Sequence, residues 1–160
     1  MTDLRVTTTS AEATQALGRR LGELLVAGDV VLLHGDLGAG KTTLSQGIVA
    51  AGRPDVAVQS PTFTLINEYP PTEDRPALFH IDLYRLDGPD DLETIGLDDL
   101  LATGTGLALI EWPERLGPDL PDDYLLIQIE PISPDARQIT LRAAPSDGRH
   151  RRIVDALIAG

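Results

Sequence analysis

Cysteine is absent from this 160-residue sequence, so it has no disulfide framework, no thiolate metal site and no thiol nucleophile. Aromatic residues make up only 4% of the chain, which leaves Leu, Ile, Val and Ala to build the core. No apolar run approaches the roughly 20 residues that cross a bilayer. The start, MTDLRVTTTS, lacks the basic-then-apolar layout of a secretory leader, so a cytosolic protein is expected. Positive charge is also scarce. The formal net charge of −12 argues against free binding to nucleic acid, whose phosphates are held mainly by Lys and Arg. Any RNA contact would have to be indirect or weak, through a partner that supplies positive surface. Arg149, His150, Arg151 and Arg152 are the one basic cluster, and they read as a solvated face of the last helix.

Lysine is the most informative scarcity. Of 13 basic residues only Lys41 is a lysine, and it stands inside a glycine-rich stretch. Residues 32–44 read LLHGDLGAGKTTL, and Gly35–Thr42 (GDLGAGKT) fits the phosphate-binding pattern G-x-x-x-x-G-K-[ST]. Val30–His34 (VVLLH) before it is a short apolar run between turn residues, expected as a buried strand. A helix is expected from Lys41 to about Ala51. Strand, glycine loop and helix in that order give the pattern its structural context.

The chemistry follows from residue types. Gly35, Gly38 and Gly40 let backbone N–H groups close around phosphates, where Cβ atoms would interfere. The helix N-terminus adds partial positive charge. Lys41 supplies a full charge for the β- and γ-phosphates, and the Thr42 hydroxyl is placed to ligate Mg2+. Such a loop also needs an acid at the tip of a neighbouring strand. Two candidates exist, Asp82 ending ALFHID and Glu111 ending GLALIE, and spacing alone does not choose between them. His80, two residues before Asp82, is expected on the same strand face as a satisfied structural histidine. Ser60-Pro61-Thr62 offers hydroxyls that a switch-like loop could bring to the γ-phosphate or the metal. Trp112, the sole tryptophan, directly follows Glu111.

Elsewhere, Thr9-Ser10-Ala11-Glu12 resembles a capping box opening a helix to about Val26. Phe63–Tyr69 and Ala77–Leu83 read as strands joined by PPTEDRP, and Pro89–Leu101 as one or two short acidic helices. Gly106–Ile110 reads as a buried strand. Tyr124–Glu130 and Arg137–Ala143 form a hairpin around SPDA, and Ser146–Ile158 a closing helix. The expected fold is α/β: a single three-layer P-loop NTPase-like domain over residues 1–160. Its mixed sheet has a parallel centre and antiparallel extensions, flanked by helices.

Four segments in this order, GDLGAGKTTL, SPTFTLINEY, FHIDLYRL and LIEWPERL, resemble the TsaE (YjeE) family of bacterial P-loop ATPases required for N6-threonylcarbamoyladenosine modification of tRNA. The resemblance covers nearly the whole chain and is loosest in its C-terminal third. It implies ATP and Mg2+ as cofactors, slow ATPase activity stimulated by a partner, and partnership with the TsaD and TsaB proteins, whose transferase it would reset between turnovers. Carried over by residue, it implies that Gly38, Ala39, Gly40, Lys41, Thr42 and Thr43 cradle the nucleotide, and that Thr42 and Glu111 hold the metal. Asp82 becomes the carboxylate that orients or activates water, Thr62 the switch threonine, and Trp112 part of a Glu-Trp pair. Ser10 and Arg137 fall at the nucleoside end, where a guanidinium can stack on adenine.

Two other functions compete. A GTPase of the common kind needs a second lysine for guanine recognition, and there is none. A small-molecule or nucleotide kinase would need a basic lid, whereas PPTEDRP and PDDLETIGLDDLL are largely acidic. Arg85 and Arg115 are the internal candidates for a catalytic arginine; otherwise a partner supplies one.

Overall fold

The computed structural model describes residues 3–36, 38–53, 66–83, 99, 101–102 and 104–160. Within them the chain runs β1 (Leu4–Thr8), α1 (Ala11–Leu24), β2 (Val30–His34), α2 (Lys41–Ala50), β3 (Ile66–Tyr69), β4 (Ala77–Asp82) and β5 (Gly106–Glu111). A 3-10 helix (Pro113–Asp119), β6 (Tyr124–Pro131), β7 (Arg137–Ala144) and α3 (Arg151–Ala159) complete it.

All seven strands join one sheet in the order β1-β7-β6-β2-β5-β4-β3. The centre is parallel: β2 pairs with β5 on one side and β6 on the other, and β4 pairs with β5. Antiparallel pairs extend it at both ends, β3 on β4, β7 on β6 and β1 on β7. The central strand β2 is buried over its first four residues, as expected where apolar neighbours cover both faces. Alternation along it divides the core. Val31 and Leu33 face a cluster with Leu17 and Leu21 of α1, Leu44 and Ile48 of α2, and Ile153 and Leu157 of α3. Val30 and Leu32 face a smaller cluster with Ile81, Ile110 and Leu116 of the 3-10 helix. The three described α-helices therefore share one face of the sheet, and the 3-10 helix helps to cover the other.

Helix α1 lies directly on α2 because glycines meet at the crossing. A Cβ on Gly47 would collide with the Gln15 carbonyl oxygen, and one on Gly18 with that of Leu44. This contact fixes the N-terminus of α1 against the N-terminus of α2, where the glycine loop ends.

Three details depart from the sequence reading. The N-cap of α1 is Ser10, whose Oγ accepts from the Ala13 N–H at 3.0 Å. Position N3 is thus Ala13, and Glu12 lies one residue too early for a reciprocal capping box, though its charge still suits the first turn. Strand β1 was not expected: it is a short edge strand specified by its partner β7, in the register Leu4↔Leu141 to Thr8↔Arg137. Finally, α3 begins at Arg151 rather than Ser146, since residues 146–150 are spent on turns. The expected acidic helices of 89–101 lie almost wholly outside the described residues.

The basic cluster near the C-terminus is not simply a solvated face. Asp29, fully buried before β2, is held by Arg149 Nε at 3.1 Å, by an Arg152 terminal nitrogen at 2.5 Å and by the Val26 N–H at 2.8 Å. His150 is also fully buried. It accepts the Val30 N–H through Nε2 at 3.0 Å, and its Nδ1 meets an Asp123 carboxylate oxygen at 2.6 Å. These contacts tie the last helix to the start of the central strand.

Candidate nucleotide and metal site

Strand β2 delivers the chain to the glycine loop at the carboxyl edge of the parallel strands, where ligands of open α/β sheets bind. Asp36 O accepts from the Ala39 N–H at 3.0 Å and tightens the loop. Gly38 (φ 79°) and Gly40 (φ 109°) take left-handed conformations that a side chain would strain, and Gly40 is the N-cap of α2. Its position leaves the first N–H groups of α2 pointing into the loop.

Lys41 is the first residue of α2. Its side chain is only 6% exposed and its Nζ has no hydrogen-bond partner. Burial lowers its pKa from the ordinary lysine value, against the opposing fields of Glu111, Asp82, Glu114 and Asp36 in decreasing order. A buried ammonium without a direct acceptor is costly. Here it lies 3.8 Å from the centroid of the Trp112 ring, whose face offers a weaker, electrostatic substitute. Trp112 reaches that place through strained backbone: at φ 61° it is the only positive-φ residue other than glycine among those described. Pro113 then opens the 3-10 helix, and Glu114 on it sits 3.0 Å from His34 Nε2 at the end of β2.

The two acidic candidates come together. Asp82 and Glu111 end adjacent parallel strands and are register partners, so their side chains share one sheet face. That face carries Leu33 and Leu109 and lies under α2. Both acids are at least nine-tenths buried. His80 joins them from the same face, with Nε2 2.6 Å from a Glu111 carboxylate oxygen. The expectation of a satisfied histidine thus holds at one nitrogen; nothing in the residue order pointed to Glu111 as its partner.

Beside the loop lies a pocket of about 110 Å3, lined by Ser10, Thr14, Gly40, Thr43, Asp135 and Arg137 among others. Ser10 and Arg137, far apart in sequence, therefore meet at one cavity. Arg137 also does more than line it. Its Nε donates to Ala39 O at 2.8 Å, and a terminal nitrogen donates to Ser133 O at 2.9 Å and Ala136 O at 2.9 Å. One edge of the guanidinium pins the β6–β7 turn to the glycine loop.

These residues fit a Mg2+-nucleotide. An unpartnered buried ammonium calls for an anion, and the loop N–H groups and helix N-terminus face the same place. Thr42, exposed on the first turn of α2, and Glu111 would be the protein oxygens available to a metal. No group of three His, Cys, Asp or Glu side chains able to hold a metal occurs among the described residues. Mg2+ is commonly held by one or two protein oxygens with substrate phosphates and water. Thr62, Ser60 and Arg85 lie outside the described residues, and Arg115 is exposed on the 3-10 helix.

Comparison with known proteins bears on the family and the fold. The family model described as threonylcarbamoyl adenosine biosynthesis protein TsaE matches residues 8–139. The chain is 48% identical over 117 residues to the tRNA threonylcarbamoyladenosine biosynthesis protein TsaE of Nostoc sp., covering 71% of this chain and 70% of that protein. Against the protein of the same description from Bacillus subtilis, identity is 38% over 143 residues, covering 89% and 87%. The crystal structure of Bacillus subtilis YdiB superposes with a TM-score of 0.80 at 32% identity, covering 99% of this chain and 95% of that one.

Proposed function

Because the chain belongs to the TsaE family, whose relatives are named tRNA threonylcarbamoyladenosine biosynthesis proteins, we propose that it binds and hydrolyses ATP in support of that modification. In this reading turnover resets a TsaD–TsaB transferase between rounds, in the cytosol, and tRNA is met only through those partners. The observation that carries it is Lys41. An ammonium buried at the head of a phosphate-binding loop, with no acceptor and two carboxylates on the next strands, is a site completed by a triphosphate.

The residues divide the work. Backbone N–H groups from Gly38 to Thr43 and the Lys41 ammonium bind the phosphates and stabilise charge that grows on them as the terminal bond breaks. Mg2+, held by Thr42 and Glu111, would screen the β- and γ-phosphates. Asp82, beside Glu111, orients or activates the attacking water. Thr62 senses the γ-phosphate. Ser10 and Arg137 position the nucleoside, and Trp112 covers Lys41 until phosphate arrives. In this reading the hydrolysis is slow until a partner completes the site, as when an arginine is supplied in trans.

Reconstitution tests this. Purified TsaD–TsaB is given tRNA and threonylcarbamoyl adenylate, with and without this chain and ATP. Modified tRNA should exceed one equivalent of transferase only when both are added, and phosphate release should rise in the presence of the pair. Many turnovers without the chain would refute the resetting role. Transfer of the γ-phosphoryl group to a small acceptor instead of water would favour a kinase.

A further inference from the structure

We propose that His80 is a positioning residue for the metal-holding carboxylate of Glu111. The inference rests on the reading of Glu111 as a Mg2+ ligand, and it concerns the residue behind that ligand.

Three observations carry it. His80 Nε2 lies 2.6 Å from Glu111 Oε2, a contact between side chains that are 1% and 4% exposed. The two residues sit on adjacent parallel strands in fixed register, His80 opposite Leu109 and Asp82 opposite Glu111, so the imidazole approaches the carboxylate from one strand over. The other ring nitrogen, Nδ1, has no partner. An ionised carboxylate only accepts hydrogen bonds, so Nε2 carries the hydrogen that lies between them. A hydrogen on Nδ1 would be a buried donor with nothing to receive it, which sets the tautomer as Nε2–H with Nδ1 bare.

The consequence is directional. The bond engages Oε2 and restrains the rotation of the carboxylate, while Oε1 takes no part in it. Metal-ligating groups commonly depend on such an outer partner for their orientation and basicity. A histidine is unusual in an apolar face beneath a helix, where Leu33, Leu78 and Leu109 are its neighbours in the core. A leucine there would pack as well, and would leave Glu111 without this donor. Asp82, on the same strand and face two residues on, is left to its own task.

The test is a Mg2+ titration read by Trp112 fluorescence, at fixed adenosine 5′-(β,γ-imido)triphosphate, on the full chain. His80→Phe keeps the ring volume and removes the donor; His80→Gln returns an N–H near the place of Nε2. The apparent Mg2+ affinity should fall by about 10- to 100-fold in His80→Phe and recover most of the way in His80→Gln. Nucleotide binding in EDTA should stay within about twofold of the parent in both. A role confined to packing would lower thermal stability and leave the Mg2+ midpoint in place, and that result overturns the proposal. If His80→Phe does not fold, His80→Asn replaces it: its amide is one methylene too short to reach Glu111, and equal Mg2+ midpoints for Asn and Gln would be equally fatal. Parent protein that binds the nucleotide with no Mg2+ dependence at all removes the reading of Glu111 as a metal ligand, and the His80 role with it. A Mg2+ dependence indifferent to residue 80 removes only the His80 role.

Discussion

Lys41 and Asp82 sit within one small volume and should fail differently. Lys41 is buried with no acceptor, so its charge is held in reserve for phosphate. Lys41→Ala should weaken ATP binding by at least about 100-fold, the scale of losing a charge-assisted contact of about 3 kcal/mol. Isothermal calorimetry is the direct check, and an unchanged affinity would remove the lysine from the site. Asp82→Asn keeps the volume and the strand pairing. ATP affinity should stay within about threefold of the parent, while single-turnover hydrolysis drops by about 100-fold or more, as when a general base is lost. At this scale the sequence was informative about identity and poor on relations. The P-loop pattern named Lys41 and Thr42, and strand-ending acids named Asp82 and Glu111. Nothing in the residue order could reveal that Trp112 would lie over Lys41, since that depends on a left-handed turn at a bulky residue. The His80–Glu111 contact was equally hidden, because it needs the register of two strands separated by outlying chain.

Secondary-structure elements place those side chains, and the α1–α2 crossing is the most exacting of the placements. Gly47 allows no Cβ beside the Gln15 carbonyl, and both partners there are backbone, which cannot swing aside. Gly47→Ala should therefore destabilise the protein by about 1–3 kcal/mol through overpacking, although alanine is the better helix former. Chemical denaturation measures this, and a gain in stability would mean the helices are free to separate. Strongly apolar or cleanly alternating elements were legible: β2, β5 and the β6–β7 pair follow their patterns to within a residue or two. Strand β1 was not, because LRVTT alternates over only five residues and becomes a strand by completing β7. The start of α3 was placed too early for a related reason. Arg149 and His150 suit a helix, but their side chains are committed to Asp29 and Asp123, and the turn around Gly148 sets that geometry.

Across the whole molecule, the two ends of β2 serve separate purposes. Its carboxyl end leads into the loop, and its amino end is clasped by the C-terminal helix through Asp29, Arg149, Arg152 and His150. Asp29→Ala removes the carboxylate partner of the Arg149 and Arg152 guanidinium groups and leaves the Val26 N–H without its acceptor. The arginines are partly solvated, so the expected loss is about 2 kcal/mol rather than that of a fully buried pair. The melting temperature should fall, with ATP affinity at the far end of the strand unchanged within about twofold. A large loss of affinity would mean that the clasp reaches the site.

The strand order carries one more consequence. Both hydrogen-bonding neighbours of β2, the strands β5 and β6, come later in the chain, and the arginine that pins the glycine loop comes later still. During synthesis the loop therefore leaves the ribosome with α1 as its one earlier neighbour, before β5, β6 and Arg137 exist. A half-made chain carries the whole P-loop pattern without the strands that floor it, and in the proposed reading a grip on ATP would wait until translation has passed the final hairpin.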